Sequence, residues 1–223
     1  MDKDNIVFKS DNLVNQVQFA GREVCQVESF LRKKIFSNSF IHSRELHQCS
    51  RLIIYRKLCN NNFAIDKHHL AMDEVVKNMW INALLDNDNF DVMERDIYIN
   101  DSSINLSCLI DCKIRILQEP CAFLFRSIRD GDTGTEEKNR PLMKDVIDLM
   151  CCLMLSQLYD GILIYQNIKP EIFHIKRSQK IIDGIVEKCK KINKFLLEKN
   201  IPNLCKNSAK QPCLNECGGS AKK

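Results

Sequence analysis

Glycine and proline are almost absent from the first half of the chain, and this scarcity limits the folds open to it. Pro120 is the first proline and Gly21 is the single glycine before Gly131, among 5 prolines and 7 glycines in 223 residues. Turn-rich β architectures depend on these two residue types to reverse the chain. The scarcity therefore predicts an all-α protein.

Apolar residues recur at steps of three and four over most of the sequence, as expected for helices with one buried face. The pattern predicts helices over approximately residues 10–36, 43–60, 66–85, 101–120, 141–159 and 170–200, with short helical continuations at 121–128 and 162–168. Ile97, Tyr98 and Ile99 would suit a short strand. A lone strand has no partner, so we expect an extended connection there.

No low-complexity linker divides the chain before its last twenty or so residues, which are polar and end in Gly218-Gly219-Ser220-Ala221-Lys222-Lys223. A chain of this length is long enough to bury a core without metals or disulfides. We therefore predict one compact all-α domain of about six or seven helices over residues 1–202. Residues 203–223 are predicted to be a flexible tail that contains cysteine and lysine.

The chain has 12 cysteines, and its polar start, Met1 to Asn5, is not followed by an apolar run typical of a signal peptide. We expect a reducing compartment, cytoplasmic or nuclear, in which the thiols stay free. No apolar run reaches the length of a membrane span. Seven cysteines at apolar positions are predicted to pack as small hydrophobes in the core: Cys25, Cys49, Cys108, Cys112, Cys151, Cys152 and Cys189.

Metal-binding and catalytic patterns are weak. Cys205, Cys213 and Cys217 are spaced C-x7-C-x3-C, whereas structural zinc sites bring two close pairs of ligands, so zinc is not favoured over incidental thiols. The histidines lack the H-E-x-x-H spacing, and no nucleophile elbow or phosphate loop is present. The sequence therefore predicts no catalytic residues, no cofactor and no enzymatic activity.

Charge is distributed unevenly along the chain. From residue 169 onward there are 13 Lys and Arg against 5 Asp and Glu, while residues 1–168 have 20 against 24. The last predicted helix is therefore basic beside an acidic body, and its apolar stripe of Ile181, Ile185, Cys189 and Ile192 leaves one charged face for solvent or a partner. The basic surface candidates are Lys176, Arg177, Lys180, Lys188, Lys191 and Lys194.

Three functions remain open from these patterns, the least favoured being an enzyme whose site is assembled from scattered residues, since all-α folds also host catalysis. The leading hypothesis is a non-enzymatic helical adaptor or regulatory protein that binds another protein inside the cell through a groove or a helix face. The alternative is a nucleic-acid-associated factor that uses the lysine-rich face of the last helix, because a basic stripe is the electrostatic footprint of such proteins. A small-molecule partner is not expected.

Overall fold

The computed structural model describes residues 40–59, 67–85, 90–116, 118–127, 140–166 and 170–202, which form a mixed α/β fold around a six-stranded sheet. The elements in chain order are β1 (Ile41–His42), a 3-10 turn (Ser43–Glu45), α1 (Ser50–Leu58), α2 (Lys67–Leu85), β2 (Asp91–Asp101), β3 (Leu106–Ile116), β4 (Glu119–Ser127), α3 (Met143–Ser156), β5 (Asp160–Gln166), β6 (Glu171–Lys176) and α4 (Gln179–Leu197). The all-α prediction is therefore wrong.

The strands follow the order β1-β3-β4-β5-β6, with β2 paired to the other side of β3. The pairs β2–β3, β3–β4 and β5–β6 are antiparallel. The pair β4–β5 is parallel, and α3 lies between these two strands in the sequence. A parallel pair requires such a crossover connection. Strand β1 contributes a short parallel pairing with the start of β3, at Ile41 with Leu106 and at His42 with Ser107.

Helices cover both faces of the sheet, so that side chains of β4 and β5 alternate between two cores. Ala122 and Leu124 belong to a first core that includes residues of α1, α3 and α4. Phe123 and Phe125 belong to a second core, which they share with Val76, Trp80, Ile81 and Leu84 of α2. Strands buried on both faces are nearly continuous apolar runs, as in residues 121–125 and 162–165.

Four segments predicted as helix are strands. The predicted helix at 101–120 contains β3, the continuations at 121–128 and 162–168 correspond to β4 and β5, and the start of the helix at 170–200 is β6. The connection at Ile97 to Ile99 lies within β2, whose partner is β3. Short continuous apolar runs such as 121–125 and 162–165 have no period that separates a buried strand from a buried helix, which accounts for the wrong predictions at β4 and β5.

Other predicted elements are close to the observed ones. Helix α2 matches the prediction for 66–85, α3 lies within 141–159, α4 lies within 170–200, and α1 occupies the later part of 43–60. The predicted helix at 10–36 and the predicted tail at 203–223 lie outside the described residues. None of the described helices combines the length and the apolarity that crossing a bilayer requires.

The prediction that cysteines pack in the core is confirmed at five of seven positions. Cys108, Cys112, Cys151, Cys152 and Cys189 are free thiols with buried side chains. Cys49 is half-buried, and Cys25 lies outside the described residues. Cys121 on β4 is also buried, although its neighbourhood was predicted as helix.

Candidate active site

Strands β3 and β4 part beyond the registered pair Cys112–Phe123, and buried charges lie at this strand fork. The backbone N–H of Phe125, beyond the last registered pair, donates to Asp111 Oδ2 of β3 at 2.8 Å. A buried backbone donor needs a partner of this kind when a ladder ends. The fork therefore gives the buried carboxylate of Asp111 a backbone donor that the ladder would otherwise occupy.

Arg126 of β4 lies at the centre of what we call the charge cluster, which comprises Asp111, Arg126, Arg44 of the 3-10 turn, and Asp145 and Asp148 of α3. Arg126 Nη1 contacts Asp111 Oδ2 at 3.1 Å, Nη2 contacts Asp148 Oδ2 at 2.6 Å, and Nε lies 3.4 Å from Asp145 Oδ1. Nη1 also donates to the Phe125 carbonyl at 2.6 Å. The guanidinium thus joins two strands and one helix.

Asp148 is the most heavily bonded carboxylate of the charge cluster. Besides Arg126 it meets Arg44 Nε at 3.4 Å and accepts a hydrogen bond from the buried Ser43 hydroxyl. Burial acts to raise its pKa, but Arg126 and Arg44 outweigh burial and hold the pKa of Asp148 below its usual value. Asp148 is therefore a fixed negative charge.

Asp111 behaves differently, although it shares the same guanidinium. Burial raises its pKa above the usual value, and the opposing effects of Arg126, Arg44 and Lys77 do not cancel this. A carboxylate with a raised pKa is a better proton acceptor near neutral pH than an ordinary one. The site therefore contains one permanently ionised carboxylate and one that exchanges protons more readily.

Arg126 and Arg44 differ in exposure. Burial acts to lower the pKa of Arg126, but Asp111 and Asp148 outweigh it, so the pKa of Arg126 lies well above its usual value. Its side chain is 6% exposed, whereas that of Arg44 is 21% exposed and also pairs with Asp73 of α2 at 3.3 Å. Arg44 is thus the guanidinium of the pair that lies nearer to solvent.

A second group of charges adjoins the fork. Lys77 of α2 is nearly fully buried, contacts Asp96 Oδ1 of β2 at 2.5 Å and pairs with Glu74. Asp96 has a φ of 52°, in the left-handed region, and lies between the registered pairs Arg95–Cys112 and Ile97–Ile110. This backbone irregularity places a carboxylate of β2 against Lys77, beside Asp111.

Tyr165 of β5 anchors the start of α3 to the charge cluster. Its hydroxyl donates to Asp145 Oδ2 at 2.8 Å and accepts from the backbone N–H of Leu142 at 3.1 Å. Burial and the neighbouring Asp145 raise the pKa of Tyr165, which keeps the hydroxyl protonated as a donor. Residues of the sheet, α3 and the 3-10 turn therefore fix each carboxylate in place.

The basic residues named from the sequence do not share one helix. Lys176 ends β6, and Arg177 follows it, with its guanidinium 5.9 Å from the centroid of the Tyr159 ring. Lys188 of α4 donates to the carbonyls of Leu46 and Gln48, both at 2.6 Å. The remaining three candidates are exposed on α4: Lys180, Lys191 and Lys194.

The tail cysteines considered for zinc, Cys205, Cys213 and Cys217, lie outside the described residues. Sequence reasoning did not find the charge cluster at all. Asp111 interrupts the apolar residues of β3, and Arg126 directly follows the apolar run 121–125. Ionised side chains are almost never fully buried without partners, so a charge at the end of a continuous apolar run is the signal that would have identified Arg126. Asp111 gives no such signal, because it occupies a polar position in the alternating pattern of β3.

No protein-family model matches this chain, and a search of curated proteins finds no significant relative. Similarity to solved structures is found at the level of the fold. An alkaline exonuclease, LHK-Exo from Laribacter hongkongensis, aligns with a TM-score of 0.56 and 8% identity over 72% of this chain and 89% of that chain. Its complex with dAMP aligns with a TM-score of 0.53 over the same shares of each chain.

A second solved structure, that of SSO0001, aligns with a TM-score of 0.52 and 16% identity over 84% of this chain and 89% of that chain. At such low identities the TM-scores show a shared α/β fold and nothing more about this chain. The prediction of a helical adaptor or regulatory protein is therefore wrong, because it depended on an all-α fold. The prediction that the chain is not an enzyme is contradicted by the same likeness to an exonuclease.

Nuclease sites often use divalent cations held by carboxylates, so the fold raises the question whether this site suits one. Asp111, Asp145 and Asp148 supply the right type of oxygen, but each is already bonded to Arg126. Within the described ranges, no three His, Cys, Asp or Glu side chains converge in an arrangement suited to a metal ion. The charge cluster as it stands does not fit a divalent cation.

Proposed function

We propose that this chain is a nucleic-acid-processing enzyme whose active site is the charge cluster at the strand fork. The observation that carries the proposal is the convergence of two arginines and three aspartates at the centre of a sheet with an exonuclease fold. Burying so much charge is costly, and clusters of this kind occur preferentially at functional sites.

The residues of the charge cluster suit phosphodiester chemistry. Arginine matches the geometry of phosphate oxygens and stabilises charge that develops on a transferring phosphoryl group. Arg44, the more exposed guanidinium, is placed to meet a phosphate, while Arg126 fixes the carboxylates behind it. Asp111, with its raised pKa, is the candidate proton acceptor.

Short fluorescent DNA and RNA, single-stranded and double-stranded, test the proposal through anisotropy for binding and gels for cleavage. We expect salt-sensitive binding and cleavage of at least one of these substrates. Arg44→Gln should slow cleavage by about 10–100-fold, because it removes a charged hydrogen bond worth about 1.5–3 kcal/mol. Arg115→Gln, at an exposed arginine paired with Asp91, is the matched control and should cleave the nucleic acid at the wild-type rate. Equal rates in both variants, or no binding to any nucleic acid, would contradict the proposal.

Exposed lysines of α4 provide a second, weaker element of the proposal, namely a surface that attracts the phosphate backbone. Lys188 is omitted because it is bonded to Leu46 and Gln48. Replacing Lys180, Lys191 and Lys194 together by glutamine should weaken binding equally for all sequences. It should also make the slope of log affinity against log salt shallower by about 2–3. An unchanged slope would remove this surface from the proposal and leave the charge cluster unaffected.

A further inference from the structure

Four oxygen atoms surround the guanidinium of Arg126. They are Asp111 Oδ2 at 3.1 Å, the Phe125 carbonyl at 2.6 Å, Asp148 Oδ2 at 2.6 Å and Asp145 Oδ1 at 3.4 Å from its nitrogens. Three are carboxylate oxygens and one is a backbone carbonyl. Mg²⁺ and Ca²⁺ prefer ligands of these two types. These four oxygens, which we call the oxygen cage, have the ligand chemistry that a hard divalent cation requires, but around Arg126 they do not have an arrangement suited to a metal ion.

We infer that the guanidinium of Arg126 takes the place of a divalent cation in this oxygen cage, so that the native chain binds no such cation there. A side chain of the protein, Arg126, thereby supplies the positive charge that a bound cation would otherwise supply. This inference concerns cation binding alone and holds whether or not the chain cleaves nucleic acid.

Burial, a permanent charge and electrostatic repulsion of other cations keep the guanidinium of Arg126 in the oxygen cage. Its side chain is only 6% exposed, whereas that of Arg44 is 21% exposed. An arginine does not lose its charge in proteins, so it cannot yield its place by deprotonation. A cation placed among the same oxygens would meet a fixed positive charge at contact distance, which opposes its binding.

The distribution of partners shows what removal of the guanidinium would leave. Asp148 would keep Arg44 and Ser43, and Asp145 would keep Tyr165. Asp111 would keep the backbone N–H of Phe125. Each carboxylate would thus keep one partner while losing the shared counter-charge, and a cation from solution that replaced this charge would draw the oxygens into a metal-binding arrangement that they lack around Arg126.

The test compares Mn²⁺ binding, measured by electron paramagnetic resonance, in the wild-type chain, Asp111→Asn, Arg126→Gln and the double variant Arg126→Gln/Asp111→Asn. We expect Arg126→Gln to bind one Mn²⁺ more than the wild type, and the double variant to lose that ion. Wild-type binding of Mn²⁺ that Asp111→Asn abolishes would overturn the inference. A folded Arg126→Gln that gains no ion would overturn it as well.

Thermal unfolding with and without Mg²⁺ covers the case in which Arg126→Gln is poorly folded. Since a bound ion stabilises only the folded state, Mg²⁺ should raise the melting temperature of Arg126→Gln, or restore its folding, with a shift on the order of 5 °C. The wild type, the double variant and the control Arg115→Gln should show no such shift. An Arg126→Gln chain that Mg²⁺ neither stabilises nor refolds would refute the cage.

Discussion

Asp111 and Asp148 contact the same guanidinium, yet their pKa values move in opposite directions. Burial acts to raise both pKa values. At Asp148 it is outweighed by Arg126, Arg44 and the hydrogen bond from Ser43, whereas at Asp111 it outweighs Arg126, Arg44 and Lys77. The depressed pKa of Asp148 contributes stability above its unfolded pKa, and this is lost as pH falls through the folded pKa. The raised pKa of Asp111 has the reverse effect, since its contribution is lost as pH rises.

His42 provides the clearest pH prediction. Burial is the main reason that its pKa is lowered from 6.5 to about 4, and its Nδ1 accepts a hydrogen bond from Arg44 N at 3.2 Å. Because the folded state favours the neutral ring, the contribution of His42 is complete above pH 6.5. It is lost as pH falls toward 4, by about 3 kcal/mol in all. Asp148 acts against this shift and Arg44, Lys57 and Arg126 act with it.

His42→Asn isolates this effect, because asparagine retains an acceptor for the turn but does not titrate. Unfolding by urea at several pH values should show the wild type losing up to about 3 kcal/mol more than the variant between pH 6.5 and 4. Apart from Asp148, whose charge acts on His42, the carboxylates titrate in both proteins and cancel in the difference. Parallel curves over that interval would show that His42 is not held neutral.

At the scale of single residues, the sequence predicts the burial of the cysteines correctly but does not predict the charge cluster. Cys108 and Cys151 are small apolar side chains whose burial follows from their apolar neighbours. Arg126 and Asp148 are distant in the sequence and become partners only through the α3 crossover and the parting of β3 from β4. Local patterns mark each as an anomalous charge but do not identify its partner.

At the scale of elements, β3 had a readable period. Even-numbered positions from 104 to 116 are all apolar, and among the intervening positions Leu109 alone is apolar, which is the two-residue alternation of a strand. The prediction of a helix at 101–120 rests on the scarcity of glycine and proline and takes no account of this alternation. Sheets built with helical crossovers need fewer tight turns than β sandwiches do, so that scarcity does not exclude strands.

Two glycines in different elements give opposite predictions for the same substitution. A Cβ added at Gly161 of β5 would lie 2.7 Å from Leu149 Cδ1, inside a fully buried contact with α3. A Cβ added at Gly184 of α4 would have no neighbour within 4 Å. Gly161→Ala should therefore destabilise the fold by about 1–3 kcal/mol, while Gly184→Ala should stabilise it by about 0.5–1 kcal/mol.

Thermal melting of the two variants beside the wild type measures both effects, and each serves as the control for the other. In a chain of this size 1 kcal/mol corresponds to about 2–4 °C. A Gly161→Ala protein as stable as the wild type would mean that Leu149 moves aside without cost. A destabilised Gly184→Ala would contradict the exposed helical position of that glycine.

At the scale of the whole molecule, the sheet couples its two cores. Strands β4 and β5 contribute alternate side chains to both, and Trp80, the single tryptophan, lies in the second core only. We expect Leu153→Ala, a cavity in the first core, to lower stability by about 2–5 kcal/mol. If the two cores unfold together, the substitution lowers the unfolding midpoint followed by Trp80 fluorescence, on the other face of the sheet, as much as the midpoint followed by circular dichroism.

Denaturant unfolding followed by both signals tests this coupling. Leu197→Ala, at a leucine that is 85% exposed on α4, is the matched control and should change stability by less than about 0.5 kcal/mol. Midpoints that separate in Leu153→Ala, with the fluorescence of Trp80 unchanged, would show that the two cores unfold independently.

The burial of the cysteines has a consequence for the lifetime of the protein under oxidation. Burial raises the pKa of Cys112, Cys151 and Cys189, in the last case to about 11, so the reactive thiolate is scarce and enclosed in the native chain. Unfolding releases several such thiols at the same moment. In an oxidising solution these exposed thiols would form disulfides in the unfolded chain and prevent it from refolding. The fold thus protects its cysteines from oxidation, and unfolding under such conditions becomes irreversible.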